Sequence, residues 1–528
     1  MFRHMLILLA LLTPMTAQAE WTRAESRNFI AYSEGSADDL KKRVADLEKF
    51  GLILQALTGA KRPREVPVKI TVYFMRTTEE VQETLPFPTY GVAGYYNTTM
   101  RGPFTVMPRI SARAPSDGRQ RGLTLSAKAI LQHELTHHFT FQYFTTAYPA
   151  WYTEGFADYA GAIEIDDANV VKLGLFLQDR AASLRTSEWV PLRQLMNPDP
   201  RKPGPGFAVY SQGWITVHYL NSTPEGRKML NAYLTAISRG ATFGDALKVF
   251  GDIDALDREV RAYSRRSTLD ATAIRYENLD VGPIDVRPLS PAEDALLPIQ
   301  ISLSSGVAAK RVQSFADRVR DLARPYPDDP YARRILIDAE YLAGNDAAAM
   351  ALADRWLATQ PADPWANYFK GEIETSMLVK AKSTDDAAWA AARARIAVAM
   401  KAIPTEPRFA RAYYESYSRR GMLPPATAQN ALVDAMFLIP REGTLRYMVA
   451  ADFEQRGMID EAIATIGPLA FGIADETDRE KRRRERVQEQ YREAGEDIDR
   501  ETPREMLVRL LAKKEAADGA KPLKPAAQ

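Results

Sequence analysis

The segment His133–His138 holds three of the chain's five histidines, and its first five residues follow the pattern His-Glu-x-x-His. With so few histidines in 528 residues, this pattern is improbable by chance. On a helix, residues i and i+4 lie one turn apart on the same side. The imidazoles of His133 and His137 can therefore both reach one zinc ion at about 2.0–2.1 Å. Glu134 lies one position further round, where it can touch a water on the metal without binding the metal itself.

A catalytic zinc site needs a third protein ligand. The chain contains no cysteine, so this ligand must be a histidine or a carboxylate. Glu154 is the candidate, and Asp158 follows it by one helical turn on the same face. One carboxylate can bind the metal while the other accepts a hydrogen bond from a ligand histidine and fixes its tautomer. The alternative is that both belong to an exposed acidic helix face.

Together these segments resemble the gluzincin metallopeptidases, the group of thermolysin and the membrane alanyl aminopeptidases. The stretch from Trp151 to Ala157 is similar to the Trp-x-x-Glu-Gly-x-Ala segment of peptidase MA-like domains, and the resemblance covers about residues 20–265. It implies a role for each residue already singled out: zinc ligands His133, His137 and Glu154, general base Glu134, and Asp158 as the support of His133.

The resemblance extends to a tyrosine. The segment Tyr210–Gly213 is similar to the Tyr-x-x-Gly of the aminopeptidase branch, whose tyrosine stabilises the oxyanion, so Tyr210 is a candidate catalytic residue. The alternative is a tyrosine that only packs its helix. One departure concerns the Gly-x-Met-Glu-Asn segment of that branch, whose glutamate holds the substrate's free amine. Residues 102–108 contain no acid, so strict aminopeptidase activity is not expected.

The two other histidines near these segments have simpler interpretations. His138 points away from the ligand face of its helix and is expected to pack or to lie on the surface. His218 follows Tyr210 by eight residues, on a similar helical face, and could donate to an oxyanion. A core histidine with satisfied hydrogen bonds is the favoured interpretation.

The elements that must position these residues form an α+β region. Apolar alternation predicts strands over 28–34 and 66–74, and apolar residues at helical spacing predict a helix over 37–57. A second helix is expected over 123–143, where it carries the first motif. Residues 104–107 lie between two prolines, which favours a short strand at the edge of the sheet.

Beyond residue 300 the chain becomes alanine-rich, helical and repetitive. Asp329-Pro-Tyr-Ala recurs as Asp363-Pro-Trp-Ala, a step of 34 residues, with a glycine turn between them. This period resembles that of tetratricopeptide helical hairpins, of which three to four are expected. The alternative is a generic helical bundle. The fold class is thus multidomain α+β: a thermolysin/aminopeptidase-like domain of a small sheet plus helices, followed by an α-solenoid.

Composition and the N-terminus limit the compartment and the partners. The net charge of +1 gives no excess of basic residues to attract nucleic acid. Met5–Leu12 is almost purely apolar and Ala17–Ala19 supplies small residues, which predicts a signal peptide cleaved near Ala19. The apolar run is too short to span a bilayer, so the mature chain is expected to be periplasmic or secreted, with no membrane-spanning segment.

These features predict five divisions of the chain: a signal peptide (1–19), a metallopeptidase domain (20–271), an extended linker (272–307), tetratricopeptide-like repeats (308–474), and a charged helix with a disordered tail (475–528). The function expected is an exported zinc-dependent peptidase that hydrolyses peptide bonds, with repeats that recruit a protein substrate or partner. One alternative is an envelope scaffold with a vestigial zinc domain. The other is a zinc site that hydrolyses a non-protein substrate. The extended linker predicts that the two modules are separable.

Overall fold

A computed structural model describes residues 21–61, 66–86, 94–109, 127–202, 204–472 and 501–519. Four features predicted from the sequence lie outside these residues. They are the signal peptide, the start of the second helix at 123–126, the stretch 475–500, and the tail from residue 521 onward.

Two sheets belong to the N-terminal module. The larger has six strands in the order β4-β5-β3-β2-β1-β9, and the smaller has the order β6-β7-β8. In the larger sheet β3 runs parallel to β2 and to β5, whereas its other pairs are antiparallel. The strands are β1 (Thr22–Glu25), β2 (Phe29–Ser33), β3 (Ile70–Met75), β4 (Tyr95–Thr99), β5 (Gly102–Pro108), β6 (Glu164–Ile165), β7 (Val170–Leu173), β8 (Thr272–Arg275) and β9 (Asp285–Pro288).

Helix α1 (Ala37–Thr58) packs on the larger sheet. Ser36 caps its N-terminus by accepting a hydrogen bond from the Asp39 amide, and Gly59 ends it with a φ of 69°. Its apolar stripe and alternate residues of β2 and β3 are buried in one core. The helix predicted over 37–57 and the first two predicted strands are therefore confirmed.

Strand β5 is not the edge strand that its flanking prolines suggested. It lies between β4 and β3, and all seven of its residues are buried. Pairing with β3 runs from Phe104 to Pro108, so Pro103 faces a partner only on β4. A proline is tolerated there because it stands near the start of the strand, where a missing N–H costs little. The edge strands of this sheet are β4 and β9.

Residues 272–307, predicted as an extended linker, form part of the N-terminal module. β8 pairs with β7, and β9 pairs with β1 to complete the larger sheet. Helix α11 (Pro291–Ser305) then buries Leu297 and Ile301 against Tyr73 of that sheet. Of the prolines that suggested a linker, Pro283 lies in the loop before β9, Pro288 ends β9, and Pro291 lies in the first turn of α11, where the missing N–H is not needed. Pro298 lies inside α11.

Helices α3 to α10 share the core of the sheet and α1, whereas α2 buries Val81 in the cluster that contains α11. Helix α4 packs against both α3 and α7, and these three helices carry the candidate site. Together with the sheets they confirm the predicted α+β class. The helices are α2 (Thr78–Glu83), α3 (Ala127–Tyr143), α4 (Ala150–Gly161), α5 (Gln178–Thr186), α6 (Leu192–Leu195), α7 (Ala208–Ser222), α8 (Pro224–Ser238), α9 (Phe243–Ala246) and α10 (Ile253–Tyr263).

The C-terminal region is rich in helical repeats. Within the described ranges, four hairpins follow α12 (Val312–Ala323), and three begin with an acidic cap followed by proline, at Asp329, Asp363 and Glu406. This pairing of cap and proline explains the repeat visible in the sequence. The hairpins are α13 (Pro330–Leu342) with α14 (Asp346–Thr359), α15 (Pro364–Lys380) with α16 (Asp386–Ala402), α17 (Pro407–Ser418) with α18 (Ala426–Leu438), and α19 (Gly443–Gln455) with α20 (Ile459–Phe471).

Helices from several of these hairpins contact the N-terminal module. Arg101, in the turn between β4 and β5, donates hydrogen bonds of 2.5 and 2.8 Å to both carboxylate oxygens of Asp338 on α13. Val68 and Met100 pack against the cluster formed by α17, α18 and α19. Phe141 of α3 is buried with α20 and with the last described helix, α21 (Pro503–Gly519). Within the described ranges, no helix combines the length and the apolar character needed to cross a bilayer.

Candidate metal centre

Helix α3 presents the two motif histidines on one side. Leu131, Leu135 and Phe139 are buried at helical spacing and hold the opposite side of α3 against the core. His133 and His137 are consequently one turn apart, with their Nε2 atoms separated by 3.1 Å.

Helix α4 brings Glu154 to the same point. Its Oε2 lies 3.0 Å from Nε2 of His137 and 3.4 Å from Nε2 of His133. Three ligand atoms at about 2.0–2.1 Å from a tetrahedral zinc ion are roughly 3.3–3.4 Å apart. The donor set and its spacing therefore fit a zinc ion, with one coordination position left open. All three residues predicted as ligands are brought together.

Asp158, one turn beyond Glu154, lies behind the cluster. Its Oδ1 is 3.0 Å from Nδ1 of His133, the contact that the resemblance implied. A carboxylate only accepts hydrogen bonds, so Nδ1 carries a proton, and Nε2 is the nitrogen whose lone pair faces the cluster once the ring is neutral. Arg180 of α5 donates to both oxygens of Asp158, at 2.6 and 3.0 Å. The sequence did not reveal Arg180, because nothing in its local pattern distinguishes it from an exposed helix arginine.

The charges of the cluster are interdependent. Burial acts to lower the pKa of His133, but hydrogen bonds to Asp158 and Glu154 outweigh it and raise that pKa to about 9. Burial acts to raise the pKa of Glu154, but the imidazoles of His137 and His133 outweigh it and hold that pKa well below its usual range. The cluster thus favours a positive charge at its centre, which a proton or a metal cation can supply.

A close crossing of α4 and α7 fixes the next part of the site. A Cβ added to Gly155 would lie 2.3 Å from the carbonyl carbon of Gly213, and one added to Gly213 would lie 2.3 Å from the carbonyl oxygen of Trp151. No other residue type fits at either crossing point. Gly155 of the Trp-x-x-Glu-Gly-x-Ala segment and Gly213 of the Tyr-x-x-Gly segment therefore pack against each other and set the distance between α4 and α7.

Tyr210 lies in the first turn of α7, beside the ligand cluster. Its ring is nearly parallel to that of His133, with centroids 6.5 Å apart, and the Arg180 guanidinium lies 5.2 Å from its centroid. Burial and the nearby Glu154 carboxylate raise the pKa of Tyr210 above its usual range, so the hydroxyl stays protonated. Among the described residues this hydroxyl has no hydrogen-bond partner, which leaves it able to donate to a bound substrate.

Glu134 has a partner from the repeats. Nη1 of Arg441, in the turn between α18 and α19, donates a 3.0 Å hydrogen bond to Oε2 of Glu134. Burial acts to raise the pKa of Glu134, but the Arg441 guanidinium and the imidazoles of His137 and His133 outweigh it and lower that pKa. This contact could not be predicted from the sequence, because the two residues are 307 positions apart.

The other two histidines among the described residues, His138 and His218, are packing residues, as expected. Nδ1 of His138 is 2.9 Å from the Tyr96 hydroxyl, and burial lowers the pKa of His138 to about 3. His218 is buried, with Nε2 2.9 Å from the carbonyl oxygen of Gly174 and Nδ1 2.9 Å from the Tyr263 hydroxyl. These hydrogen bonds hold the rings of His138 and His218 away from the three ligand atoms.

Comparisons with known proteins find a partial likeness among solved structures. No family model matches the chain, and no curated protein matches it. Among solved structures, a thermophilic tetratricopeptide protein from Thermus thermophilus is similar to part of it. The two share 17% sequence identity, and the match covers 37% of this chain and 97% of that protein, with a TM-score of 0.29.

Proposed function

We propose that this chain is an exported, zinc-dependent peptidase, with repeats that also contact a protein substrate or partner. The observation that carries the proposal is the spacing of three ligand atoms, from His133, His137 and Glu154. The Glu134 carboxylate lies on α3, the helix that carries both histidines. The N-terminal apolar segment supports export to the periplasm or beyond.

Each of these residues has a separate role in the proposed hydrolysis. His133, His137 and Glu154 would hold the metal, which supplies Lewis acidity that activates water and polarises a scissile carbonyl. Glu134 takes a proton from the attacking water and passes it to the leaving amine. Tyr210 donates its hydroxyl to the oxygen on which negative charge develops, a contribution of about 10²-fold for one such donor. Asp158 and Arg180 keep the His133 ring in the orientation that this requires.

A second function is favoured by the surface of the repeats. Exposed apolar side chains recur along them, among them Met377, Leu423 and Phe437. Exposed apolar surface often marks a protein contact. The alternative is therefore an envelope scaffold in which the zinc domain is vestigial or acts on something other than a peptide bond.

The experiment compares the mature chain with its Glu134→Gln variant. Bound zinc and cleavage of a mixed peptide library are measured for both. We expect one zinc per chain in both proteins and a loss of cleavage of at least about 10²-fold in the variant, because only the general base is removed. Glu164→Gln, on exposed strand β6, is the control for a lost carboxylate. Stoichiometric zinc that survives His137→Ala would contradict the ligand set, and cleavage that survives Glu134→Gln would contradict the mechanism.

A further inference from the structure

Glu134 is contacted from the opposite end of the chain, which makes the candidate site a composite of both modules. Among the described residues, the Arg441 side chain hydrogen-bonds the Glu134 carboxylate at 3.0 Å, and only Oε2 of that carboxylate accepts. We propose that Arg441 is a positioning residue for Glu134, an inference that rests on the proposed peptidase function. The repeats then complete the active site in addition to any contact with other proteins.

The guanidinium of Arg441 is held in place by aromatic rings. It lies 4.9 Å from the centroid of the Tyr96 ring and 6.0 Å from that of Phe141. Tyr96 belongs to edge strand β4, and its hydroxyl is anchored by Thr98 and His138. A cation over such rings is attracted to their faces and loses freedom to move.

The backbone on either side of Arg441 is also fixed. Arg446 donates to the carbonyl oxygen of Pro440 and to that of Thr465 on α20. On the other side, Glu442 caps α19 by accepting a 2.7 Å hydrogen bond from the Leu445 amide. The arginine therefore starts from a rigid turn, and the position of its guanidinium is determined before substrate binds.

The geometry of the contact suits a positioning role. Arg441 binds one oxygen of Glu134, and among the described residues Oε1 has no partner, so Oε1 stays free to accept a proton from water. Within the same residues, Arg441 forms no hydrogen bond with the three metal ligands. A displacement of the carboxylate by about 1 Å from its working position can lower the catalytic rate by about 10²-fold. Fixing one oxygen prevents that displacement without occupying the other.

The test compares Arg441→Gln and Arg441→Lys with wild type in the zinc-loaded full chain. For Arg441→Gln we expect a fall in kcat of about 10² with KM nearly unchanged, because the contact affects the chemical step rather than substrate binding. Arg441→Lys should recover part of this loss, since lysine restores the charge but not the planar fork. Zinc content should stay at the wild-type value. Arg419→Gln, which loses an ion pair within the repeats, is the matched control and should leave kcat unchanged.

An independent measurement needs no activity. Urea unfolding of the metal-free chain is followed for Arg441→Gln, Glu134→Gln and the double variant. Arg441→Gln should lower the unfolding midpoint less in the Glu134→Gln background, where no carboxylate is left unpaired.

The outcomes separate this inference from the proposed function. An active wild type whose kcat is unchanged or increased in Arg441→Gln would overturn the inference alone, and an increase would identify the contact as a latch that closes the site. Additive midpoint shifts in the double variant would also overturn it. A wild type that binds zinc but cleaves no peptide would overturn the proposed function, and with it the catalytic effect assigned to Arg441.

Discussion

The candidate site depends on partners for nearly every charged group in it. His133 contacts Asp158, Asp158 binds Arg180, and Glu134 binds Arg441. These contacts fix ring orientation and carboxylate rotation, which a bare ligand set would leave free. Two of these partners, Arg180 and Arg441, lie outside the sequence motifs.

Asp158 offers a direct test of this dependence. We expect Asp158→Asn to weaken zinc affinity or activity by about 10–100-fold, because the amide no longer accepts a charge-assisted hydrogen bond from His133 and no longer binds Arg180. Zinc affinity is measured by competition with a chelator, and activity with a peptide substrate. Asp167→Asn, on an exposed turn, is the control. Unchanged affinity and rate would reduce Asp158 to a structural acidic residue.

The raised pKa of His133 predicts a pH dependence for the metal-free chain. His133 binds its proton more tightly in the folded chain, with a pKa of about 9 against an ordinary 6.5. Its contribution to stability is therefore complete below about pH 6.5 and is lost as the pH rises through about 9. Zinc must displace this proton, so zinc affinity should rise over the same interval.

Urea unfolding and zinc competition between pH 6 and 10 measure both trends. Asp158→Asn is the comparison, because it removes the hydrogen bond that raises this pKa most. The Asp158→Asn variant should lose its His133-dependent stability over a narrower pH interval than wild type. A metal-free chain whose stability does not fall between pH 6.5 and 9 would contradict the assigned charge of His133.

At the scale of elements, the crossing of α4 and α7 sets the distance between Tyr210 and Glu154. Gly155 and Gly213 let the helices approach until backbone meets backbone. Glu154 and Tyr210 each lie within one turn of this crossing, so their separation depends on it.

Gly213→Ala tests the crossing. The added methyl would lie 2.3 Å from the Trp151 carbonyl oxygen, so the helices must separate. We expect a destabilisation of about 1–3 kcal/mol, as for other overpacked sites, together with reduced activity. Gly51→Ala, in α1 with nothing within 4 Å, is the matched control and should be neutral or slightly stabilising. Equal effects of the two substitutions, measured by urea unfolding, would show that the helices adjust without cost.

For the molecule as a whole, the two modules are joined by buried contacts along several faces. β9 and α11 fill the stretch expected to be a linker, and Phe141 of α3 is buried among repeat helices. The separability suggested by the sequence is therefore not expected, because division would expose apolar surface on both sides.

Arg101→Gln measures the strength of this junction. The substitution removes both hydrogen bonds to the buried Asp338 carboxylate and leaves it with Arg408 at 3.7 Å. We expect a loss of about 1.5–3 kcal/mol in the free energy of unfolding. The control, Arg266→Gln, breaks an exposed ion pair and should cost less than about 1 kcal/mol. A similar small loss for both would mean that the junction rests on its apolar contacts alone.

The sequence by itself determined the features that depend on short spacing. The i, i+4 histidines, the carboxylates one turn apart on α4, the helix over 37–57 and the 34-residue repeat all follow from helix geometry and local caps. Tertiary structure alone decided that β5 is an inner strand, that β9 joins β1, and that Arg180 and Arg441 reach the site. Those contacts join residues far apart in the chain, where no fixed spacing marks the partner. They arise because burying the apolar faces of both modules leaves one arrangement in which the charged groups are also paired.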